Sequence, residues 1–342
     1  MDLSRIVWNH VSPASSSKSL PSIQSELQDN DILTPALRKK FFKMIHGRRF
    51  GALAKYYPCP VDESEIERMS REHRMLAFVY GGKNYAGPVE QVLRKSPHKQ
   101  RRILDVGTGS GVWACEMADE FDHAEVIGVD AAPIQPEEMP RNCSFEIYDV
   151  TKGPQMLPYD DDYFDLIHIR SVHTGITNYA SLMREARRVL RPGGLIILAE
   201  IDTTPMTANK EPISLDAAPG WCEFWAEYRR CLSSRGIDPT IPTRLRQSLQ
   251  QAHGFSHIVA QEAALPIGFH PQPNVTLVTI GQLAWLNYDT LLHSLVPFLY
   301  ERSGRTYEEI DELVSAAQSD LYNPIVPLYT CLHIVHATKS LT

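Results

Sequence analysis

The chain has 342 residues, 43% hydrophobic and 9% aromatic, with a formal charge of −7. This is ample material for one large globular core, and the acidic balance argues against a broad basic face for nucleic acid. The start, Met1-Asp2-Leu3-Ser4-Arg5, lacks the apolar run of a secretory signal, and polar residues such as Gln282, Asn287 and Asp289 break the most apolar late stretch, so neither export nor membrane spanning is expected.

In chain order, residues 1–30, rich in serine and proline over 12–25, are expected to form a mobile tail. Residues 31–97 read as a helical extension. Leu37, Phe41, Met44 and Ile45, and later Ile66, Met69, His73 and Leu76, fall at helical spacing. The basic cluster Arg38-Lys39-Lys40, Lys43 and Arg48-Arg49 reads as a solvated helix face. The segment from Tyr80 to Pro88 holds three glycines and is expected to be flexible.

Residues 98–342 are expected to form one domain. Ile103-Leu104 is a short strand, and Ala114, Met117, Ala118 and Phe121 mark a helix with one buried face. Strands follow at Ala124–Asp130, Cys143–Tyr148 and Phe164–Ile169. A helix carrying Leu182, Ala186, Val189 and Leu190 stops at Arg191-Pro192-Gly193-Gly194, and the chain resumes as the strand Leu195–Glu200. This alternation predicts an α/β fold with a Rossmann-like, doubly wound parallel sheet. Helices about 205–250 and 275–322 are expected to cover the substrate. Strands at Phe255–Leu265 and Leu328–Ala337 complete seven, with a helical insertion between the last two.

The run Asp105-Val106-Gly107-Thr108-Gly109-Ser110-Gly111 joins the first of these strands to its helix. Bare backbone facing a helix N-terminus makes a nucleotide cradle. Val112 stands where a dinucleotide fingerprint wants a small residue. Asp105 would repel a pyrophosphate but attract the α-ammonium of S-adenosylmethionine (SAM). The residues therefore point to SAM, with Gly107, Thr108, Gly109 and Gly111 at the ligand. Asp130, 19 residues after Gly111, sits with Ala131 where a strand-end acid takes ribose hydroxyls. Asp149, next to Val150 at the end of the third strand, can accept the adenine amino group.

The order D-V-G-T-G-S-G, V-I-G-V-D, Y-D-V, L-P-Y-D-D-D-Y-F-D-L-I and L-R-P-G-G resembles the class I SAM-dependent methyltransferases over about residues 80–205. The stretches Ala124–Pro136 and Ile167–Arg170 are similar, more narrowly, to the fungal LaeA-like branch. That branch holds both regulators of secondary metabolism and enzymes that methylate natural products. The branch resemblance fades after residue 205. The chain departs from many branch members at His173, and it has L-P-Y-D-D-D where relatives carry a tryptophan-bearing acidic stretch. The resemblance implies SAM as cofactor, S-adenosylhomocysteine as product, and Tyr85, before the first strand, as a contact for the methionine end. For Tyr85 a packed position in a surface turn is the alternative.

Ligands in such sheets bind beyond the carboxyl ends of the strands. Arg170, His173, Glu200 and Asp202 should therefore face the methyl. His173 is the candidate base, its ordinary pKa of about 6.5 suiting neutral pH; the alternative is a loop hydrogen bond. Arg170 is a candidate for binding the cofactor or an anionic substrate, or else a strut against Asp149 or Asp165. Glu200, Trp221, Trp225 and Tyr288 are candidate substrate contacts, although an aromatic stripe at helical spacing also describes a core. No metal is expected: His333 and His336 lie three apart on a strand, and no cysteine pair has zinc spacing. Six cysteines without C-x-x-C spacing suggest free thiols in a reducing, cytoplasmic setting. The function expected is methyl transfer from SAM to an oxygen or nitrogen of a small specialised metabolite. The rivals are a LaeA-like regulator working with protein partners in the nucleus, and a protein or RNA methyltransferase.

Overall fold

The computed structural model describes residues 5–8, 40–152 and 156–341. Arg5–Trp8 (β1) is a strand rather than loose tail: its backbone pairs antiparallel with Cys143–Tyr148, from Arg5 opposite Tyr148 to Trp8 opposite Phe145. The rest of the expected tail, and Leu37, lie outside the described residues.

The extension is not wholly helical. Phe42–Ile45 (β2) and Arg48–Gly51 (β3) form a hairpin closed by His46 and Gly47, both left-handed at φ 47° and 75°. That pair of positive φ values suits a primed hairpin turn, a signal that outranks the helical spacing of Met44 and Ile45. The His46 ring packs on Tyr300 and Tyr307, centroids 4.8 and 5.8 Å away. Arg48 forks onto Asp62 at 2.6 and 3.0 Å, and Asp62 caps the helix Glu63–Val79 (α1). Arg49 binds the Val61 carbonyl and Glu63. Arg48 and Arg49, two of the six residues of the basic cluster, thus organise the start of α1 instead of facing water alone, while Arg38 and Lys39 lie outside the described residues.

After the single turn Val89–Val92 (α2) come Arg101–Val106 (β4), Val112–Glu120 (α3), Ala124–Asp130 (β5), Cys143–Tyr148 (β6) and Phe164–Arg170 (β7). Tyr179–Val189 (α4) and Leu190–Ile201 (β8) follow. Strands β6-β5-β4-β7-β8 are parallel and almost continuously buried, as strands covered on both faces must be. Phe255–Ile267 (β9) and Leu328–Lys339 (β10) close the sheet, β10 antiparallel to both β8 and β9. The seven expected strands are present in the order β6-β5-β4-β7-β8-β10-β9, and β1 makes an eighth at the β6 edge.

Three cores hold the layers. One face of the sheet packs Leu104, Ile167 and Leu198 against α4 and Leu245–Ala252 (α6). The other packs Ile103, Val126 and Phe145 against α2 and α3, through Val89, Leu93 and Met117. The third core is a cap of Pro219–Ser234 (α5), Val275–Ser294 (α7), Val296–Ser303 (α8) and Tyr307–Tyr322 (α9). Trp221, Phe224, Trp225, Tyr228, Tyr288 and Phe298 fill it edge to face, with centroids 5.2 to 5.8 Å apart. No described helix is long and apolar enough to cross a membrane.

Candidate active site

At the carboxyl end of β4 the chain turns into α3 through Gly107-Thr108-Gly109-Ser110-Gly111. The Gly107 and Thr108 N–H groups donate to the Val129 carbonyl at 2.9 and 3.0 Å, holding the loop on β5. A side chain at Gly107 would strike Val172, 2.5 Å from its Cβ position, so bare backbone is required there. Asp130 ends β5 and accepts from the Gly109 N–H (2.9 Å) and the Ala132 N–H (2.9 Å). Burial nonetheless pushes its carboxyl up to about 6. Asp105 is engaged on both oxygens, by Thr108 Oγ1 at 2.6 Å and His168 Nδ1 at 2.7 Å. An ammonium would add to these partners, not replace them. His168 stacks on Trp113 at 3.8 Å, and burial pulls its pKa down.

Asp149 has one oxygen committed to hydrogen bonds and one that makes none among the described residues. Oδ1 takes the Thr151 N–H and hydroxyl at 3.0 and 2.6 Å. Oδ2 is buried with no hydrogen-bond partner among the described residues, and the exposed Lys152 ammonium stands 3.4 Å off. A buried carboxylate oxygen in that state calls for a donor from a ligand.

These groups line one cavity of about 1170 Å³, part of it open to solvent, with Ala131, Val150 and Arg170 also in its wall. Arg170 is no strut. Asp165 is taken by Lys99, Arg101 and Arg191 at 2.8, 2.9 and 2.5 Å, and among the described residues no carboxylate lies within ion-pair distance of the Arg170 guanidinium. Its contact is His73 Nδ1 at 3.2 Å. An unpaired cation in a cavity wall suits a carboxylate on the ligand.

The roof comes from the extension: residues 54–57, Val61, Arg68, Met69 and Glu72. Met69 reaches down to the cradle, its Sδ 3.2 Å from where a Cβ on Gly109 would be. Glu72 accepts from Arg68 at 2.6 Å and from the Ser171 hydroxyl at 2.9 Å. Burial works against its charge, but the Arg68 guanidinium prevails and holds its pKa below the usual value. Arg68 also binds Glu65 at 2.7 Å and Asn287 at 2.8 Å, tying α1 to the cap.

Several expected residues lie elsewhere. Tyr85 is buried on the α2/α3 face, its hydroxyl donating to Glu120 at 2.6 Å, because Val89 and Leu93 draw that segment into the core behind the cradle. Gly111 begins α3 just behind the lining residues Ser110 and Val112. His173 and Glu200 stand behind the wall as a buried pair, Nδ1 to Oε2 at 2.7 Å. Glu200, 0% exposed, also accepts from the Val172 and His173 N–H groups at 3.2 Å. It fixes the loop after β7 instead of reaching a substrate. Asp202 is likewise buried and outside the cavity wall instead of facing the methyl, accepting from the Thr204 N–H at 2.8 Å. Trp221, Trp225 and Tyr288 belong to the cap core, where their mutual packing leaves no face to the cavity.

Tyr57, Arg68, Met69 and Glu72 were not anticipated. One signal was present: Glu65, Arg68 and Glu72 share the helical stripe of Met69, His73 and Leu76. Charges on the buried face of an amphipathic helix mark a polar site beneath it.

The parallel sheet with a reversed final strand, the glycine cradle and the strand-end acids define a class I SAM-dependent methyltransferase. A family model described as a methyltransferase domain matches residues 97–245. The secondary metabolism regulator LAE1 of Cochliobolus heterostrophus is 30% identical over 323 residues, covering 92% of this chain and 99% of that protein. The secondary metabolism regulator laeA of Coprinopsis cinerea is 29% identical over 86% of this chain and 73% of its own length. The protein-methionine methyltransferase laeA of Emericella nidulans is 29% identical over 86% of this chain and 75% of its length. The chain belongs to the LaeA-like family of these methyltransferases. The similarity runs far past residue 205, where the motifs alone gave out.

Proposed function

We propose that the chain methylates a hydroxyl or amine of a small, partly apolar metabolite. SAM supplies a methyl already activated on a sulfonium. What remains for the protein is orientation and exclusion of water, worth roughly 7–11 kcal/mol. Asp130 is suited to the ribose hydroxyls, Asp149 Oδ2 to the adenine amino group, and Arg170 to the methionine carboxylate. The roof is the observation that carries the acceptor class. Tyr56, Tyr57 and Met69 give it an apolar, aromatic lining, and Glu72 is its charged acceptor. An ionised carboxylate welcomes an O–H or N–H and repels a carboxylate acceptor. Glu72 also lies in the cavity wall where His173 does not, and so replaces it as the group to take the acceptor's proton.

The test is to incubate the full chain with methyl-labelled SAM and an extract of its source organism, then separate small molecules from protein. Label is expected in the low-mass fraction, reduced about 100-fold or more in Glu72→Gln. Label confined to protein would overturn the small-acceptor reading. It would favour a second one, that the chain regulates secondary metabolism by methylating protein: two of the relatives are named as regulators of secondary metabolism and one as a protein-methionine methyltransferase.

The Asp130 role makes binding pH-dependent. A carboxyl titrating at about 6 is ionised above that pH, and the ion is the better acceptor for ribose hydroxyls. Affinity for S-adenosylhomocysteine should hold between about pH 7 and 8 and fall as pH drops through about 6. Calorimetric titrations across that range check it. Asp130→Asn should bind weakly, with that fall flattened; an unaltered fall in the variant would move the titration to another group.

A further inference from the structure

We propose that Glu262, Cys331 and His333 bind a zinc-class divalent ion with an open fourth position. One donor atom from each lies within 4.8 Å of the others. The arrangement follows from the sheet. Cys331 and His333 are two apart on β10 and so share a face, and Glu262 on β9 is the direct partner of His333 in the ladder. The spacing C-x-H on a strand is therefore a ligand pair, which a search for C-x-x-C or neighbouring histidines passes over. His336 is on the other face, its ring 2.8 Å from where a Cβ on Gly87 would stand.

Two of the three donors lack strong partners. The His333 Nε2 atom is buried with no hydrogen-bond partner among the described residues, on a side chain 9% exposed, while its Nδ1 lies 3.4 Å from Glu262 Oε1. The buried Cys331 thiol makes only a 4.0 Å contact to the Leu332 carbonyl. Glu262 is exposed, so its side chain has room to close in to the roughly 3.4–3.8 Å that separates tetrahedral donors at zinc bond lengths. Its present partner is Lys210 at 3.0 Å.

Charge favours a dication. A thiolate and a carboxylate neutralise it, while Asp202 and Lys210, the other charged groups acting on His333, work in opposite directions. On binding, the Cys331–metal bond forms and the thiol proton leaves to solvent. Asp202 N–H donates to the Cys331 carbonyl at 2.9 Å, so the ion would sit at the same sheet edge as the cradle, beyond β8.

The test uses the full chain, freed of metal by chelator, titrated with Co²⁺ and then displaced by Zn²⁺. One equivalent should give a thiolate-to-cobalt charge-transfer band and the intense visible bands of tetrahedral cobalt. Cys331→Ser should lose the charge-transfer band, and Cys115→Ser should keep it. Glu262→Gln, at an exposed position that spares the fold, should weaken binding at least tenfold. Lys210→Ala, which removes the competitor for Glu262, should tighten it. Absence of the band in the folded chain overturns the proposal, as does its survival in Cys331→Ser or an unchanged affinity in Glu262→Gln.

Discussion

Gly109→Arg is expected to weaken S-adenosylhomocysteine binding more than about 100-fold, a loss of about 2.7 kcal/mol, while leaving a folded protein. Three effects add. The backbone there is left-handed, φ 56°, which strains any side chain. The Gly109 N–H is the link to Asp130, so a shifted backbone also moves the acid at the end of β5. The side chain itself starts against Met69 in the cavity wall, where Gly109 and Met69 both line the space. Gly109→Ala separates these effects. Its Cβ meets only the flexible end of Met69 at 3.2 Å, so a loss nearer tenfold is expected. Calorimetry on the three proteins, with circular dichroism to verify the fold, checks this. An arginine variant within threefold of the parent would remove the ligand from the cradle.

The second large effect belongs to Arg68, which joins roof to cap. Its guanidinium serves Glu65, Glu72 and Asn287, with Arg68 7% and Glu65 0% exposed at the side chain. Burial already pushes the Glu65 pKa up despite Arg68. Arg68→Met leaves two acids without their counter-charge, and removing one partner of a buried pair costs about 3–5 kcal/mol. Urea denaturation should show that loss. If uncompensated charge is the cause, adding Glu65→Gln and Glu72→Gln to Arg68→Met should recover most of it. A loss below about 1 kcal/mol for Arg68→Met would mean that α1 is held by apolar packing alone.

The catalytic half of the fold was legible because its signals are local. Four of the five parallel strands end in a glycine turn or an acid, β7 with its Arg170 being the exception, and Asp105, Asp130 and Asp149 are read by position at strand ends. The roof was not legible, because it depends on contacts across some 220 residues, such as Arg68 with Asn287 and Glu65 with Ser294. His173 and Glu200 misled for a related reason. Position after a strand says which edge a residue reaches, but not whether the next loop folds over it. Glu200 collects two backbone N–H groups and His173, and so turns inward. The aromatic stripe of α5 had two readings by spacing alone, and only its packing against Tyr288 and Phe298 decides for core. The hairpin at 42–51 was hidden because His46-Gly47 is a less familiar turn pair than Asn-Gly.

A crystal structure with S-adenosylhomocysteine tests the account most directly. The ribose hydroxyls should lie on Asp130, the adenine amino group on Oδ2 of Asp149 and the amino-acid carboxylate by Arg170, with the sulfur facing Glu72 beneath the roof of α1. A nucleoside bound away from Asp130 and Asp149, or a sulfur pointing away from the Tyr57 and Glu72 side, would contradict it.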